Sequence, residues 1–124
     1  MSPDAIKLKK SENLLQLTYA DISYELSAEY LRVMSPSAEV RGHSPDQAQL
    51  QTGKKYVKFE GIEAVGHYAI KLVYDDGHDS GLYTWDYLYD LCLNQTQYWQ
   101  NYLQDLQKEN QSRDPHESVV QIMG

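Results

Sequence analysis

One cysteine among 124 residues, Cys92, excludes an internal disulfide and any cluster of thiolates within one chain. Structural zinc cages of the Cys type and self-contained iron–sulfur cages go with it. Cations are scarce too: 11 Lys and Arg stand against 18 Asp and Glu, for a net charge of -7. Neutralising phosphates takes clustered Lys and Arg, so general nucleic-acid binding is not expected. Lys7, Lys9 and Lys10 read as the solvated face of a strand. No apolar run approaches the roughly 20 residues of a membrane helix, and the opening MSPDAIKLKK has no apolar signal-peptide core. The expectation is a cytoplasmic protein without membrane contact. There is no phosphate-cradling loop either, because Gly53-Lys54-Lys55 lacks the upstream glycine and the Ser or Thr of a P-loop.

Tyrosine is what the chain has in excess, 11 residues against a single phenylalanine. An apolar ring with a polar tip suits sheet faces that are half covered, and interfaces. The length fits one domain. In LLQLTY (Leu14–Tyr19), Leu15, Leu17 and Tyr19 alternate with Gln16 and Thr18, and in YAIKLVY (Tyr68–Tyr74) Tyr68, Ile70, Leu72 and Tyr74 share one face; both predict strands. Asp76-Gly77 supplies turn chemistry for a hairpin into Ser80–Tyr83. Ser27 and Thr84 are placed to cap helices, with Glu29 and Asp86 in the first turns.

LTYADISYELSAEYL and LVYDDGHDSGLYTWDYL share a plan. Leu17, Tyr19 and Asp21 answer to Leu72, Tyr74 and Asp76, and Glu29, Tyr30 and Leu31 answer to Asp86, Tyr87 and Leu88. An imperfect duplication of a strand–turn–strand–helix unit follows, two copies completing one core. Tyr56–Val65 predicts a further strand, and Tyr98, Trp99, Tyr102, Leu103 and Leu106 predict an amphipathic helix over Gln95–Asn110. The expected fold is α+β, mainly antiparallel sheet with a C-terminal helix. It makes a single domain over residues 1–111 and a mobile tail over 112–124.

Between the two copies lies Met34–Lys54, long, polar and punctuated by Pro36, Gly42, Pro45 and Gly53, the kind of loop that is often functional. Its first part, VMSPSAEVRGH, reads either as a rigid turn, with Glu39 and Arg41 pointing the same way and pairing, or as a partner-facing loop. Among the histidines, His67 reads as a hairpin-turn residue and His116 as part of the tail. His43 and His78 sit in turn-rich stretches, and with Asp76 or Asp79 they allow a two-His, one-carboxylate iron site. Ser35 and Ser37 flank Pro36 without a nucleophile-elbow pattern, and Cys92 at an apolar helix end reads as a packing thiol.

LRVMSPSAEVRGH and VGHYAIKLVYDDGHDSGLYTWDYLYDL closely resemble the bacterial DUF971 family, the gamma-butyrobetaine hydroxylase-like N-terminal domain proteins, over Ile6 to about Tyr102. In the eukaryotic hydroxylases such a domain precedes an oxygenase and holds zinc through Cys-x-Cys-x-x-Cys and a later His. Laid on this chain, the resemblance puts the three cysteine positions at Ser35, Ser37 and Val40 and the histidine at His78. Neutral hydroxyls and an isopropyl group are not zinc donors beside thiolates, so the implied reading is a knuckle without its metal, held by Pro36 and hydrogen bonds. The oxygenase domain and its His-x-Asp iron motif are missing, so no enzyme activity is expected. A related domain closes some plastid Mrp-type ATPases that assemble iron–sulfur clusters. That company implies an accessory or adaptor role. The protein partner implied is an iron–sulfur assembly factor or a metallo-enzyme, docked on Ser35, Ser37, Glu39, Arg41 and His43 with Asp76, His78 and Asp79. The alternative is a weak iron or zinc binder using His43, His78 and Asp79, with Cys92 as a further donor.

Overall fold

Period-2 alternation decides both sheets. Leu15, Leu17 and Tyr19 are buried while Leu14, Gln16 and Thr18 are only partly covered, the pattern of a strand with one face on the core. The computed structural model describes residues 1–117. It sets β2 (Leu14–Tyr19) between β1 (Ala5–Lys9) and β3 (Ile22–Ser27), antiparallel to both. After α1 (Ala28–Val33) and the single turn α2 (Ala38–Arg41), the plan returns: β5 (Ala69–Tyr74) runs between β4 (Phe59–Val65) and β6 (Leu82–Thr84), again antiparallel. Then come α3 (Trp85–Leu93) and α4 (Gln95–Lys108). Among the described residues this is an α+β fold of two three-stranded antiparallel sheets.

Each copy turns from strand to helix by the same device. The Ser27 hydroxyl accepts from the Tyr30 N–H at 3.1 Å, and the Thr84 hydroxyl accepts from the Tyr87 N–H at 3.2 Å. Such a cap satisfies one of the orphan donors of a helix start. The helices then exchange equivalent bonds. Tyr30 of α1 donates its hydroxyl to the Leu91 carbonyl of α3, 2.8 Å, and Tyr87 of α3 donates to the Met34 carbonyl at the end of α1, 2.5 Å. The spacing from Tyr30 to Tyr87 is that from Met34 to Leu91, so the two halves meet reciprocally, as the partners of a twofold dimer do. Leu15, Leu17, Leu26, Leu31, Leu72, Leu88 and Leu91 fill the shared core.

Two expectations are corrected. The fourth strand begins at Phe59 and not at Tyr56, whose ring is 53% exposed. The stretch Met34–Lys54 is not a structureless loop, since it contains α2 and a 3-10 turn at Pro45–Gln47. Asn13, with φ of 58°, supplies a junction that alternation does not report. Its side chain donates to the Val57 carbonyl at 2.7 Å and accepts from the Phe59 N–H at 3.1 Å, tying the first sheet to the start of the second.

α4 lays Tyr102 and Leu106 on Val33 and sets Trp99 edge-on to Tyr30. From Ser112 the chain, expected to be mobile, runs against the body. The Ser112 and Arg113 carbonyls accept from the Gly53 and Lys55 N–H groups, both at 3.0 Å. Arg113 grips both oxygens of the Glu29 carboxylate at 2.7 Å and lies over the Trp99 ring. Mixed polar composition hides this, because what holds the strap is one bidentate pair. Residues 118–124 of the expected tail lie outside the described residues. Replacing Arg113 with alanine strands a nearly buried Glu29 carboxylate. The guanidinium is itself 37% exposed, so the expected cost is discounted to about 2 kcal/mol, read as a lowered denaturation midpoint.

Candidate functional site

The two motifs singled out in the sequence close on each other. Gly77, at φ of 89°, lets the β5–β6 turn reverse. His78 follows it with a side chain only 4% exposed. Its Nε2 lies 2.8 Å from Ser35 Oγ and 3.5 Å from Ser37 Oγ. Its Nδ1 lies 3.5 Å from the Glu39 carboxylate. That carboxylate favours the tautomer with the proton on Nδ1, which leaves Nε2 to accept from the Ser35 hydroxyl. Ser35 has no exposed surface. Gly81 packs on it so closely that a Cβ there would stand 2.5 Å from Ser35 Oγ.

A second tier of polar groups supports this clasp. Tyr83, beside Ser35, donates to the Leu31 carbonyl at 2.6 Å and accepts from the Tyr74 hydroxyl at 2.8 Å. Asp76 Oδ2 takes Arg32 Nε at 2.9 Å and Lys54 Nζ at 2.7 Å, while its Oδ1 accepts from the His78 N–H at 3.1 Å. Arg32 also reaches the Gln51 side chain at 2.9 Å. Thus α1, the strap-side loop and the β5–β6 turn are bound through one carboxylate.

Burial, followed by the positive charge of Arg32, lowers the His78 pKa from its ordinary 6.5. Burial pushes the Asp76 carboxyl up, but the Lys54 hydrogen bond, the His78 N–H and the Arg32 charge together hold it below 3.8. In both cases the unfolded chain binds the proton more readily than the fold does. Stability is therefore complete above pH 6.5 and falls as pH drops below it, first through His78 and again below about pH 4 through Asp76. A denaturation series across this range is expected to show two steps, the upper one absent in His78→Gln.

The eight residues expected at the site divide into two groups. Ser35, Ser37, His78 and Asp76 form the framework. Glu39, Arg41, His43 and Asp79 are exposed. Glu39 and Arg41 do not pair as an extended loop would let them, because α2 is helical and turns them apart. Glu39, 71% exposed, faces His78. Arg41 donates to the Met34 carbonyl at 3.1 Å and to the Tyr87 hydroxyl, stacking over that ring. Among the described residues, the hydrogen bond that fixes His43 is that of its backbone N–H, which donates to Gln47. Arg32, Lys54, Tyr74, Gly81, Tyr83 and Tyr87 belong to the site as well and were missed. Arg32, Tyr74, Tyr83 and Tyr87 lie on helix and strand faces where sequence spacing reads as ordinary packing, and Lys54 and Gly81 lie in the connecting segments beside them.

Hydroxyl, imidazole and carboxylate stand in the order of a hydrolytic triad. Gly81, Pro36 and Tyr83 crowd Ser35, so its hydroxyl serves His78 and is closed to a substrate carbonyl. The donor set does not fit zinc either: of the four positions implied by resemblance, only His78 carries a metal donor of the right kind, and its Nε2 is taken by Ser35. Among the described residues no three His, Cys, Asp or Glu side chains are grouped to hold a metal ion. Cys92 is buried in the main core, its thiol pushed up to about 11 by burial.

The sequence model described as gamma-butyrobetaine hydroxylase-like, N-terminal, matches residues 6–89, a span that contains every residue of the clasp. The chain belongs to this family. A crystal structure at 1.93 Å of a DUF971-family protein of unknown function from Acidithiobacillus ferrooxidans ATCC 23270 is similar, with a TM-score of 0.60 and 33% identity. The match covers 73% of this chain and 91% of that one. Two proteins solved by NMR in solution are similar over nearly their whole lengths. One is 54% identical at a TM-score of 0.84, covering 98% of this chain and 97% of that one. The other is 44% identical at a TM-score of 0.76, covering 99% and 92%. No curated protein matches the chain. Within this gamma-butyrobetaine hydroxylase-like domain the clasp and both sheets, but for Ala5 at the start of β1, fall inside the family span, whereas α4 and the strap lie beyond it. Among the described residues no helix is long and apolar enough to cross a membrane.

Proposed function

We propose that this protein is a non-enzymatic interaction module that docks on a protein partner through the segment 34–43 and the neighbouring β5–β6 turn. The observation that carries this reading is the division of labour at the clasp. Ser35, Ser37 and His78 are spent on holding the loop, while Glu39, His43 and Asp79 are held outward on it. A loop fixed in advance loses little conformational entropy on binding, which is how rigid scaffolds present recognition residues. Domain company supports an iron–sulfur assembly factor or a metallo-enzyme as the partner. Arg32 and Lys54 share the single carboxylate of Asp76 and Arg41 is turned back on Met34 and Tyr87, while Glu39 and Asp79 are the carboxylates the rim presents outward.

The test is affinity capture from the host's own lysate with wild-type chain and with Glu39→Lys/Asp79→Lys, both bearing the same tag. Reversing rim charges acts chiefly on association; Glu39→Lys also removes the carboxylate that faces His78, so the double variant is expected to melt lower than the wild type while remaining folded. A partner recovered by the wild type and reduced about tenfold or more by the double reversal supports the reading. Identical recovery by both chains would sink it.

A further inference from the structure

The turn that carries His78 also holds the peptide bond most prone to rearrange. A glycine that follows Asp leaves its backbone nitrogen open to the neighbouring carboxyl, because no side chain stands in the way. Asp76-Gly77 is the one place in the sequence where Asp or Asn precedes glycine. The fold needs this glycine, since at φ of 89° it takes a conformation that L side chains rarely adopt.

The rearrangement is self-contained. The Gly77 nitrogen gives up its proton and bonds to the Asp76 Cγ, one carboxyl oxygen leaves as water, and a five-membered imide closes. Water then adds at the carbon of the former main-chain carbonyl and breaks its bond to the Gly77 nitrogen. The chain now runs through the side-chain carbon, an isoaspartyl linkage with one more backbone methylene and a free carboxylate on Cα. One water leaves and one returns, so no cofactor, oxidant or enzyme enters the balance.

In the closed clasp both reacting groups are engaged elsewhere. The Gly77 N–H donates to the Tyr74 carbonyl at 3.1 Å. The carboxyl must carry a proton to release water, yet Arg32 Nε at 2.9 Å and Lys54 Nζ at 2.7 Å hold one oxygen as an anion, and the His78 N–H at 3.1 Å holds the other. Opening the turn frees the nitrogen and the carboxylate together. The product does not fit the closed turn, because an added methylene falls between the Tyr74 N–H and the His78 carbonyl that accepts from it at 3.1 Å. Its carboxylate, now directly on Cα, no longer has the reach that met Arg32 and Lys54.

We propose that Asp76-Gly77 is a site of spontaneous isoaspartyl modification guarded by the clasp, and that the modification, once made, keeps His78 from returning to Ser35 and releases the segment 34–43. The clasp is thereby a one-way switch. This holds whatever the segment docks on.

The full chain is kept warm for weeks at mildly acidic pH beside a peptide of residues 72–82, the unfolded reference. Isoaspartate at position 76 is counted by fragmentation mass spectrometry of digests, since the intact mass does not change. Modification that proceeds only from the open turn follows the population of that state, so the folded chain is expected to lag the peptide by about tenfold or more. Lys54→Gln removes one donor and is expected to raise the rate severalfold in a folded chain. Gly81→Ala, which crowds Ser35 off His78, is expected to raise it further, and Gly61→Ala to leave it unchanged. The modified chain, separated by chromatography, is expected to melt below the unmodified one. Equal rates in the folded chain and the peptide, a rate that neither Lys54→Gln nor Gly81→Ala raises, or a modified chain that melts with the wild type would overturn the proposal.

Discussion

Replacing Ser35, Ser37 and Val40 together by cysteine is expected to convert a clasp that lacks thiolate donors into one that takes up a single zinc ion. The two serine hydroxyls already stand 2.8 and 3.5 Å from His78 Nε2. Val40 is three residues beyond Ser37 on the turn of α2, hence on the same face, and is buried. A Cys₃His set asks for four donors around a metal at about 2.0–2.3 Å, which places neighbouring donors roughly 3.5 Å apart. The clasp has nearly that spacing before any metal arrives. Structural zinc sites contribute on the order of 10 kcal/mol of apparent binding free energy at neutral pH, so the variant should hold one equivalent through gel filtration and melt lower once chelated. The same triple change with His78→Ala should bind far more weakly. If the triple variant stays metal-free, the clasp does not have the shape of a metal knuckle.

The second large effect is expected from one methyl group. In Gly81→Ala the new Cβ would stand 2.5 Å from Ser35 Oγ and 3.2 Å from the Pro36 ring, inside the distance that real contacts tolerate. The serine must leave His78, and two buried polar groups then go unpaired. Overpacking and the lost bond together are expected to cost roughly 2–4 kcal/mol, a fall in melting temperature on the order of 10 °C. Gly61→Ala serves as the internal control, because nothing lies within 4 Å of its new methyl group. Equal stability of the two variants would mean that the Ser35–His78 bond carries little weight.

The sheets were legible because alternation is a local signal. Leu15, Leu17 and Tyr19, or Ile70, Leu72 and Tyr74, announce one face whatever lies above it. Ser27 and Thr84 were legible as caps for the same reason, since the bond each makes closes within three residues. Even the duplication could be read, as matched tyrosines and leucines. The clasp could be only half read. Resemblance placed Ser35, Ser37 and His78 together, but the bonds that join them span 43 and 41 positions, and no local period reports a pairing of that kind. Arg41 drew notice because it sits inside a conspicuous motif, whereas Arg32, on an ordinary helix, holds Asp76 from a more buried position. The strap escaped for a related cause: Arg113 stands in polar surroundings, and its partner Glu29 lies 84 positions away.

The central claim is that hydrogen bonds among Ser35, Ser37 and His78 hold the segment 34–43 where relatives by resemblance use a metal. Elemental mass spectrometry of the untagged chain, purified without oxygen and melted with and without a chelator, tests it most directly. The account predicts iron and zinc far below one equivalent and a melting temperature that the chelator leaves unchanged. Near-stoichiometric iron or zinc, with a melting temperature that falls when it is stripped, would contradict it.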